Sequence, residues 1–387
     1  MSDLRTRVRL HAWLAVALLV VLALLSGCWV GEVAPAAPSE TGTTTAGSPP
    51  STTPTPDPTP TLDPEPTDSS RADGLSGAQE NTLSSLKTID DYPLYTMHYD
   101  GDYARTTPPL TGENRTAPQT MPERPSWACS LFAALGDGEN RIYGRNFDWV
   151  YSPALLLFTD PPGGYASVSM VDIAYLGFGG DQAHTLPDLT LSERAELLEA
   201  PFWPFDGMNE KGVVVGMAAV PTGRMLPDPN KETIGSLGVI REILDHASDV
   251  DEAIAILQNY NIDFRGGPDL HYLIADREGQ AALIEFYQGE MVVTSNDTPW
   301  HLATNFLRAS AGDSAEGHCR RYDTLSERLS QAGGSLGDLA AMSLLGDVAQ
   351  PGTQWSIVYG LTSGEVDVVM GRDYSSSHSL RLNPGSE

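Results

Sequence analysis

Cys129, Arg145 and Asp148 are the residues of this chain whose types and spacing most suggest chemistry. They fall in WACSLFAALGDGENRIYGRNFDW, where Cys129 opens an apolar run and Arg145 and Asp148 follow 16 and 19 residues later. A thiol attacks as its thiolate, an adjacent cation favours that form, and a carboxylate can orient and charge-stabilise an amine. Two readings of Cys129 stand open here. It is a nucleophile, or it pairs with Cys319 in a disulfide of an exported protein. Cys28 is the third cysteine.

Most other familiar centres are absent. The chain has no HExxH, no Walker A string and no GxGxxG opening a helix. His11, His98, His184, His246, His271, His301, His318 and His378 are scattered without metal-ligand spacing, and there is no CxxC pair, so no metal site is expected. With 23 Lys and Arg against 51 Asp and Glu, a net charge of −28, the chain is a poor candidate for tracking phosphates, and no nucleic-acid partner is expected.

The candidate residues need strands to position them. Ser130–Leu135 and Arg141–Phe147 flank GDGEN, a hairpin signal with glycine at two places. Val213–Val220 reads as a strand entered through NEKG. His271–Ala275, Ala281–Phe286 and Met291–Val293 alternate or run apolar, and Trp355–Tyr359 with Val366–Met370 form a hairpin around LTSGE. Ser248-Asp249-Val250-Asp251 resembles a capping box before Ala253, Ile254 and Leu257, and Tyr322, Leu325 and Leu329 share one helical stripe. Strands at both ends with helices between imply an α+β layered architecture.

The N-terminus is of a different kind. Arg5, Arg7 and Arg9 precede the apolar run Ala12–Leu25, which is short for a membrane span, and small residues follow. The string Leu25-Ser26-Gly27-Cys28 resembles the lipobox of bacterial lipoproteins. That resemblance implies a signal peptide over 1–27, cleavage before Cys28 and lipidation there, with the protein held at the outer face of the cell membrane. Residues 28–73 carry ten of the 29 prolines among Thr, Ser and Gly and read as a disordered stalk. Residues 74–128 are rich in Leu, Tyr and Ile and read as a pro-segment packed on the domain that follows, over 129–387. About −24 of the net charge falls on residues 74–387, which suits solubility.

CSLFAAL…GRNFDW resembles the N-terminal-nucleophile cysteine hydrolases of the choloylglycine hydrolase, penicillin V acylase and acid ceramidase superfamily. DGMNEKGVVVGMAAV, HLATNF with Asn305, and CRRYDTL with Arg321 are similar to later blocks of that family, in family order. The resemblance implies a four-layer αββα sandwich and hydrolysis of linear amides. It implies that Cys129 becomes N-terminal by self-cleavage after Ala128, so that its own α-amine is the base, and that light and heavy chains result. Arg145 would favour the thiolate and Asp148 would hold the Cys129 ammonium. Asn305 and the Ala219 N–H would hold the oxyanion, and Arg321 would anchor Asp148 or its polar neighbours. No cofactor is implied, and the implied partner is a small N-acyl amide or N-acyl amino acid.

Two departures from bile-salt hydrolases matter. The position ten residues after Asn209 is Ala219 where they carry Asn, so only its backbone can contribute, and bile-salt and penicillin V specificity are not expected. The long segment before Cys129 is more similar to the acid-ceramidase-like relatives. An acyltransferase of the same fold and a non-catalytic binding lipoprotein are the alternative readings. Trp149, Tyr151, Phe158, Phe202, Trp203 and Phe205 are candidates for an acyl pocket or for core.

Overall fold

The computed structural model describes residues 74–103, 128–312 and 314–382. The expected signal segment, Cys28 and the stalk lie outside the described residues, as do 104–127 of the expected pro-segment. In chain order the elements are α1 (Gly77–Ser84), β1 (Lys87–Asp90), β2 (Leu94–Tyr99), β3 (Ser130–Ala134), β4 (Ile142–Asp148), β5 (Ala154–Thr159), β6 (Ser167–Asp172) and α2 (Gln182–Thr185). Then come β7 (Pro204–Asn209), β8 (Val214–Ala219), β9 (Glu232–Gly235), α3 (Gly238–His246), α4 (Val250–Asn259), β10 (Tyr260–Asp263), β11 (Leu270–Ala275), β12 (Ala281–Tyr287) and β13 (Glu290–Ser295). The chain closes with β14 (Trp300–Ala303), α5 (Arg320–Gln331), α6 (Asp338–Val348), β15 (Thr353–Gly360), β16 (Glu365–Met370) and β17 (His378–Arg381).

The strands form two large sheets and a small pair. One sheet runs β1-β2-β5-β6-β7-β8-β11-β12-β13, the other β14-β3-β4-β15-β16-β17, and β9 pairs with β10. The central strands of both sheets, β5–β8 and β11 in one and β3, β4 and β15 in the other, are buried along their whole length, as strands covered on two faces must be. The inner faces meet where Tyr143 of β4 donates to the Leu273 carbonyl of β11 at 3.0 Å. Gly216 of β8 permits that approach, since a Cβ there would lie 2.6 Å from the Tyr143 hydroxyl and 2.9 Å from Leu131. Burial of these mostly apolar inner faces is the main driving force for the stack.

Helices cover the outer faces. Val239, Ile240, Ile243 and Leu244 of α3 recur at helical spacing and are buried, with Leu244 lying over Gly207 of β7. On the far side Leu325 and Leu329 of α5 and Leu344 and Leu345 of α6 share a core with Phe132, Ile142 and Val358. The order is therefore α, β, β, α, the four-layer α+β sandwich expected. The strand expectations hold to within a residue or two, as does the Tyr322–Leu325–Leu329 stripe. The cap of α4 sits one residue later than Ser248. Asp249 accepts the Glu252 N–H at 2.8 Å, and Glu252 reaches back to the Ser248 N–H at 2.8 Å. An aspartate can cap as well as a serine, and Glu252, not Asp251, falls at the third helical position.

Residues 74–103 are built into the first sheet. β2 pairs in parallel with β5 from Leu94↔Ala154 to Tyr99↔Thr159. Leu83, Leu94, Met97 and Tyr103 are buried in the main core, and Tyr103 donates to Asp245 at 2.9 Å.

Candidate active site

The β3–β4 hairpin sets the first contacts. Ser130 pairs with Asn146 and Leu131 with Arg145, so Cys129, one residue before β3, lies beside the end of β4 that carries Asp148. Gly144 lets the strands close, because a Cβ there would meet the Phe132 ring at 2.5 Å. Cys129 is buried and a free thiol, which excludes a Cys129–Cys319 disulfide. Burial and the Asp148 charge push this thiol up, while Arg145, a hydrogen bond from the Asp148 backbone and Arg321 pull it down; the net direction is upward.

Arg145 does more than neighbour the thiol. Its Nη1 donates to Asp206 of β7 and, at 2.7 Å, to the Phe205 carbonyl, and its guanidinium lies over the Phe147 ring at 5.2 Å. Asp206 also accepts from the Tyr359 hydroxyl of β15. The pair is wholly buried. Burial pushes the Asp206 carboxyl up and Arg145 pulls it back. Arg145 Nε and Nη2 have no hydrogen-bond partner among the described residues.

Asp148 accepts from the Thr353 hydroxyl through Oδ1, and Thr353 stands opposite it in the β4–β15 ladder. Its Oδ2 is buried with no hydrogen bond among the described residues, 3.9 Å from Arg321 Nη1. Burial pushes the Asp148 carboxyl up to about 7, against the pull of Arg321, Thr353 and Arg145. Of the two anchoring roles expected of Arg321, the one to polar neighbours takes its close contacts and the one to Asp148 does not. From the first turn of α5, its Nη1 donates to the Ala128 carbonyl at 2.6 Å, to the Cys129 carbonyl, and to Ser130 Oγ at 2.9 Å. Its Nη2 donates to Asn305 Oδ1 at 3.0 Å.

Asn305 and Ala219 meet on one side of β8. Asn305 Nδ2 donates to the Ala219 carbonyl at 2.8 Å. The Val220 N–H bonds to Asp269 at 2.9 Å, toward β11. Successive residues of a strand point their N–H and C=O to opposite neighbours, so both Ala219 groups face away from β11, on the Asn305 side. The loop after Asn305 is held by Glu285 of β12, whose carboxylate accepts the Arg308 and Ala309 N–H groups at 2.7 Å each and faces His271 Nδ1 at 3.3 Å.

Five sequence candidates thus converge: Cys129, Arg145, Asp148, Asn305 and Arg321, with the Ala219 backbone beside them. Asn209 is a turn former, its Oδ1 accepting from the Lys211 and Val213 N–H groups at 3.1 and 3.0 Å. Asn146 faces α6, donating to Leu345 at 2.8 Å, which makes it structural. Cys319 is buried at the N-cap of α5. Phe158, Phe202, Trp203 and Phe205 belong to the main core, and Tyr151 is partly exposed. Asp206, Thr353, Tyr359 and Glu285 were not anticipated. Asp206 left one signal, a carboxylate within an otherwise uncharged strand, PFDGMN. No group of three His, Cys, Asp or Glu suited to a metal occurs among the described residues.

Asp172 resembles Asp148 in being pushed up to about 7 by burial, here against hydrogen bonds from Ser152 and the Ala174 backbone. A carboxyl whose folded pKa exceeds its ordinary 3.8 stabilises fully below that value, and the contribution is lost as pH rises through about 7. His98 and His301, pushed down by burial, act in the opposite sense. The expected result is a difference between chains: between pH 5 and 8 the unfolding midpoint of Asp172→Asn falls less than that of the parent. Equal falls would remove the linkage assigned to Asp172.

Residues 201–336 match the family described as acyl-coenzyme A:6-aminopenicillanic acid acyl-transferase. That stretch holds Asp206, Ala219, Asn305 and Arg321, while Cys129, Arg145 and Asp148 precede it. No curated protein sequence matches the chain. Among solved structures it is similar to a conjugated bile acid hydrolase from Clostridium perfringens, at 16% identity and TM-score 0.49 over 66% of this chain and 92% of that one. It is also similar to a penicillin V acylase from Agrobacterium tumefaciens, at 16% identity and TM-score 0.44 over 63% of this chain and 83% of that one.

Proposed function

We propose, on the premise that the layered fold and the matched segment support the superfamily of N-terminal-nucleophile cysteine hydrolases, that this chain hydrolyses linear amides with Cys129 as nucleophile. The observation that carries the reading is the surround of the free Cys129 thiol. The buried Asp148 Oδ2 beside it has no hydrogen bond among the described residues, as an acceptor reserved for an ammonium would. Once the chain is cut after Ala128, the Cys129 α-amine meets that oxygen. An α-amine has an ordinary pKa of about 8, close enough to neutrality to take the thiol proton and return it to a leaving amine. Its positive form would in turn pull Asp148 down, so that carboxylate and ammonium form a pair.

In turnover the thiolate attacks the amide carbon, and the oxyanion is received by Asn305 Nδ2 and the Ala219 N–H. The amine departs and water releases the acid. The substrate class is an N-acyl amide or N-acyl amino acid. Cys28 carries the lipid that holds the enzyme outside the cell. The test is N-terminal sequencing of the heavy piece together with acid release from N-acyl amides of varied chain length and headgroup. An active preparation containing only whole chain would sink the reading.

Asn305→Ala is expected to lower kcat by about 10²–10³, the usual effect of losing one oxyanion donor. The fall should sit in kcat more than KM. A KM rise alone would move Asn305 from the oxyanion to substrate binding.

The match of residues 201–336 to an acyltransferase family favours a second reading, acyl transfer to an amine. Product analysis with an added amine acceptor separates the two. Amide formed in place of acid supports transfer.

A further inference from the structure

We propose that Arg321 is the oxyanion-stabilising group of the self-cleavage step, so that this chain carries separate oxyanion sites for maturation and for turnover. The proposal rests on the self-cleavage reading above and deepens it. When the Cys129 thiol attacks the Ala128 carbonyl carbon, negative charge develops on the Ala128 oxygen. In the uncut chain that oxygen already accepts from Arg321 Nη1 at 2.6 Å. Asn305 holds no comparable position, since its Nδ2 donates to Ala219 and its Oδ1 accepts from Arg321.

The arrangement of Nη1 favours the transition state over the resting peptide. Among the described residues, its two hydrogens are shared among three neutral acceptors, the Ala128 and Cys129 carbonyls and Ser130 Oγ. A charged oxygen draws a donor more strongly than a neutral one, so the share going to Ala128 grows as the tetrahedral species forms. Interactions that strengthen only then lower the barrier. The guanidinium is buried, where its field is little screened, and Asn305 fixes its other nitrogen.

The step balances as follows. Sγ bonds to the Ala128 carbon, the Ala128–Cys129 C–N bond breaks, and the thiol proton goes to the departing nitrogen. Water then cleaves the thioester, giving an Ala128 carboxylate and restoring the thiol. The consequence is a division of labour, with Arg321 acting before the cut and Asn305 with the Ala219 N–H acting after it.

The test follows conversion of freshly synthesised full-length chain into two pieces, by gel and intact mass. The arms are the parent, Arg321→Ala, Arg321→Lys and Asn305→Ala, with and without guanidinium ion in the buffer. Arg321→Ala is expected to slow conversion by about 100-fold or more, the scale of one lost oxyanion donor. Added guanidinium should restore part of that rate, which a purely structural role would not allow, and Arg321→Lys should fall between. Asn305→Ala should slow conversion less than Arg321→Ala does. Conversion of Arg321→Ala at the parent rate, or a larger effect from Asn305→Ala, overturns the assignment. A parent chain that stays whole overturns the self-cleavage reading beneath it.

Discussion

A Cys129→Ala chain is expected to stay in one piece and to release no acid from any N-acyl amide that the parent hydrolyses. The loss should reach at least about four orders of magnitude, as when the nucleophile of a covalent mechanism is removed. The substitution removes a thiol without disturbing the hairpin, whose pairing begins at Ser130. Folding should therefore survive it, and near-ultraviolet circular dichroism should match the parent. Cys129→Ser separates two properties of the sulfur, because a hydroxyl keeps the geometry and loses most of the acidity. It should be cut slowly, if at all. The measurements are intact mass and acid release on the same preparation. Cutting after Ala128 in the alanine chain, or retained turnover, would exclude Cys129 as the nucleophile.

The second large effect concerns stability. Asp206→Ala should destabilise the protein by about 3–5 kcal/mol, because it leaves the Arg145 guanidinium buried without its counter-charge. Asp206 and Arg145 belong to different sheets, and Tyr359 adds a third strand to the same carboxylate. The double change Arg145→Met with Asp206→Leu should recover much of the loss, since an apolar pair of similar volume needs no desolvation. Urea unfolding of the single and double variants reads both values. A shift below about 1 kcal/mol for Asp206→Ala, the range of exposed ion pairs, would mean that Arg145 finds another anion or water. In that case the thiol, not the carboxylate, would be the main electrostatic neighbour of Arg145.

The legible part of the site was its local part. Cys129, Arg145 and Asp148 sit on one hairpin, and the period of two together with the GDGEN turn is enough to bring them together. Asn305 and Arg321 were found by resemblance, and the contact of Arg321 with the Ala128 carbonyl was not foreseen. Arg321 was expected to anchor Asp148 or its polar neighbours; it lies 3.9 Å from Asp148, and its close contacts are with the peptide at Ala128 and Cys129, with Ser130 and with Asn305. Asp206 and Thr353 were missed for a physical reason. Each meets its partner only once the sheets have stacked or a distant strand has paired, 61 and 205 residues along the chain. Periodicity reports which face of a strand is buried and is silent about which polar group will stand opposite. The aromatic candidates illustrate the same limit. Phe205 packs edge-on to Phe147 at 5.3 Å, a core contact that sequence alone does not distinguish from a pocket wall.

The parallel pairing of β2 with β5 has a consequence for how a cut enzyme would come apart. Before cutting, residues 74–103 and the rest of the fold are one covalent body, and unfolding is a first-order event. After a cut at Ala128 the same strand, with Leu94 and Met97 in the core, is a separate molecule. Unfolding then releases two bodies whose reunion depends on their concentration, so the melting temperature of the cut form should rise with protein concentration while that of the whole chain does not. Dilution would favour loss of the light piece and the opening of the sheet at β5. The covalent link would thus serve during assembly, and the native state after the cut would be held by the slowness of losing β2 as much as by its free energy.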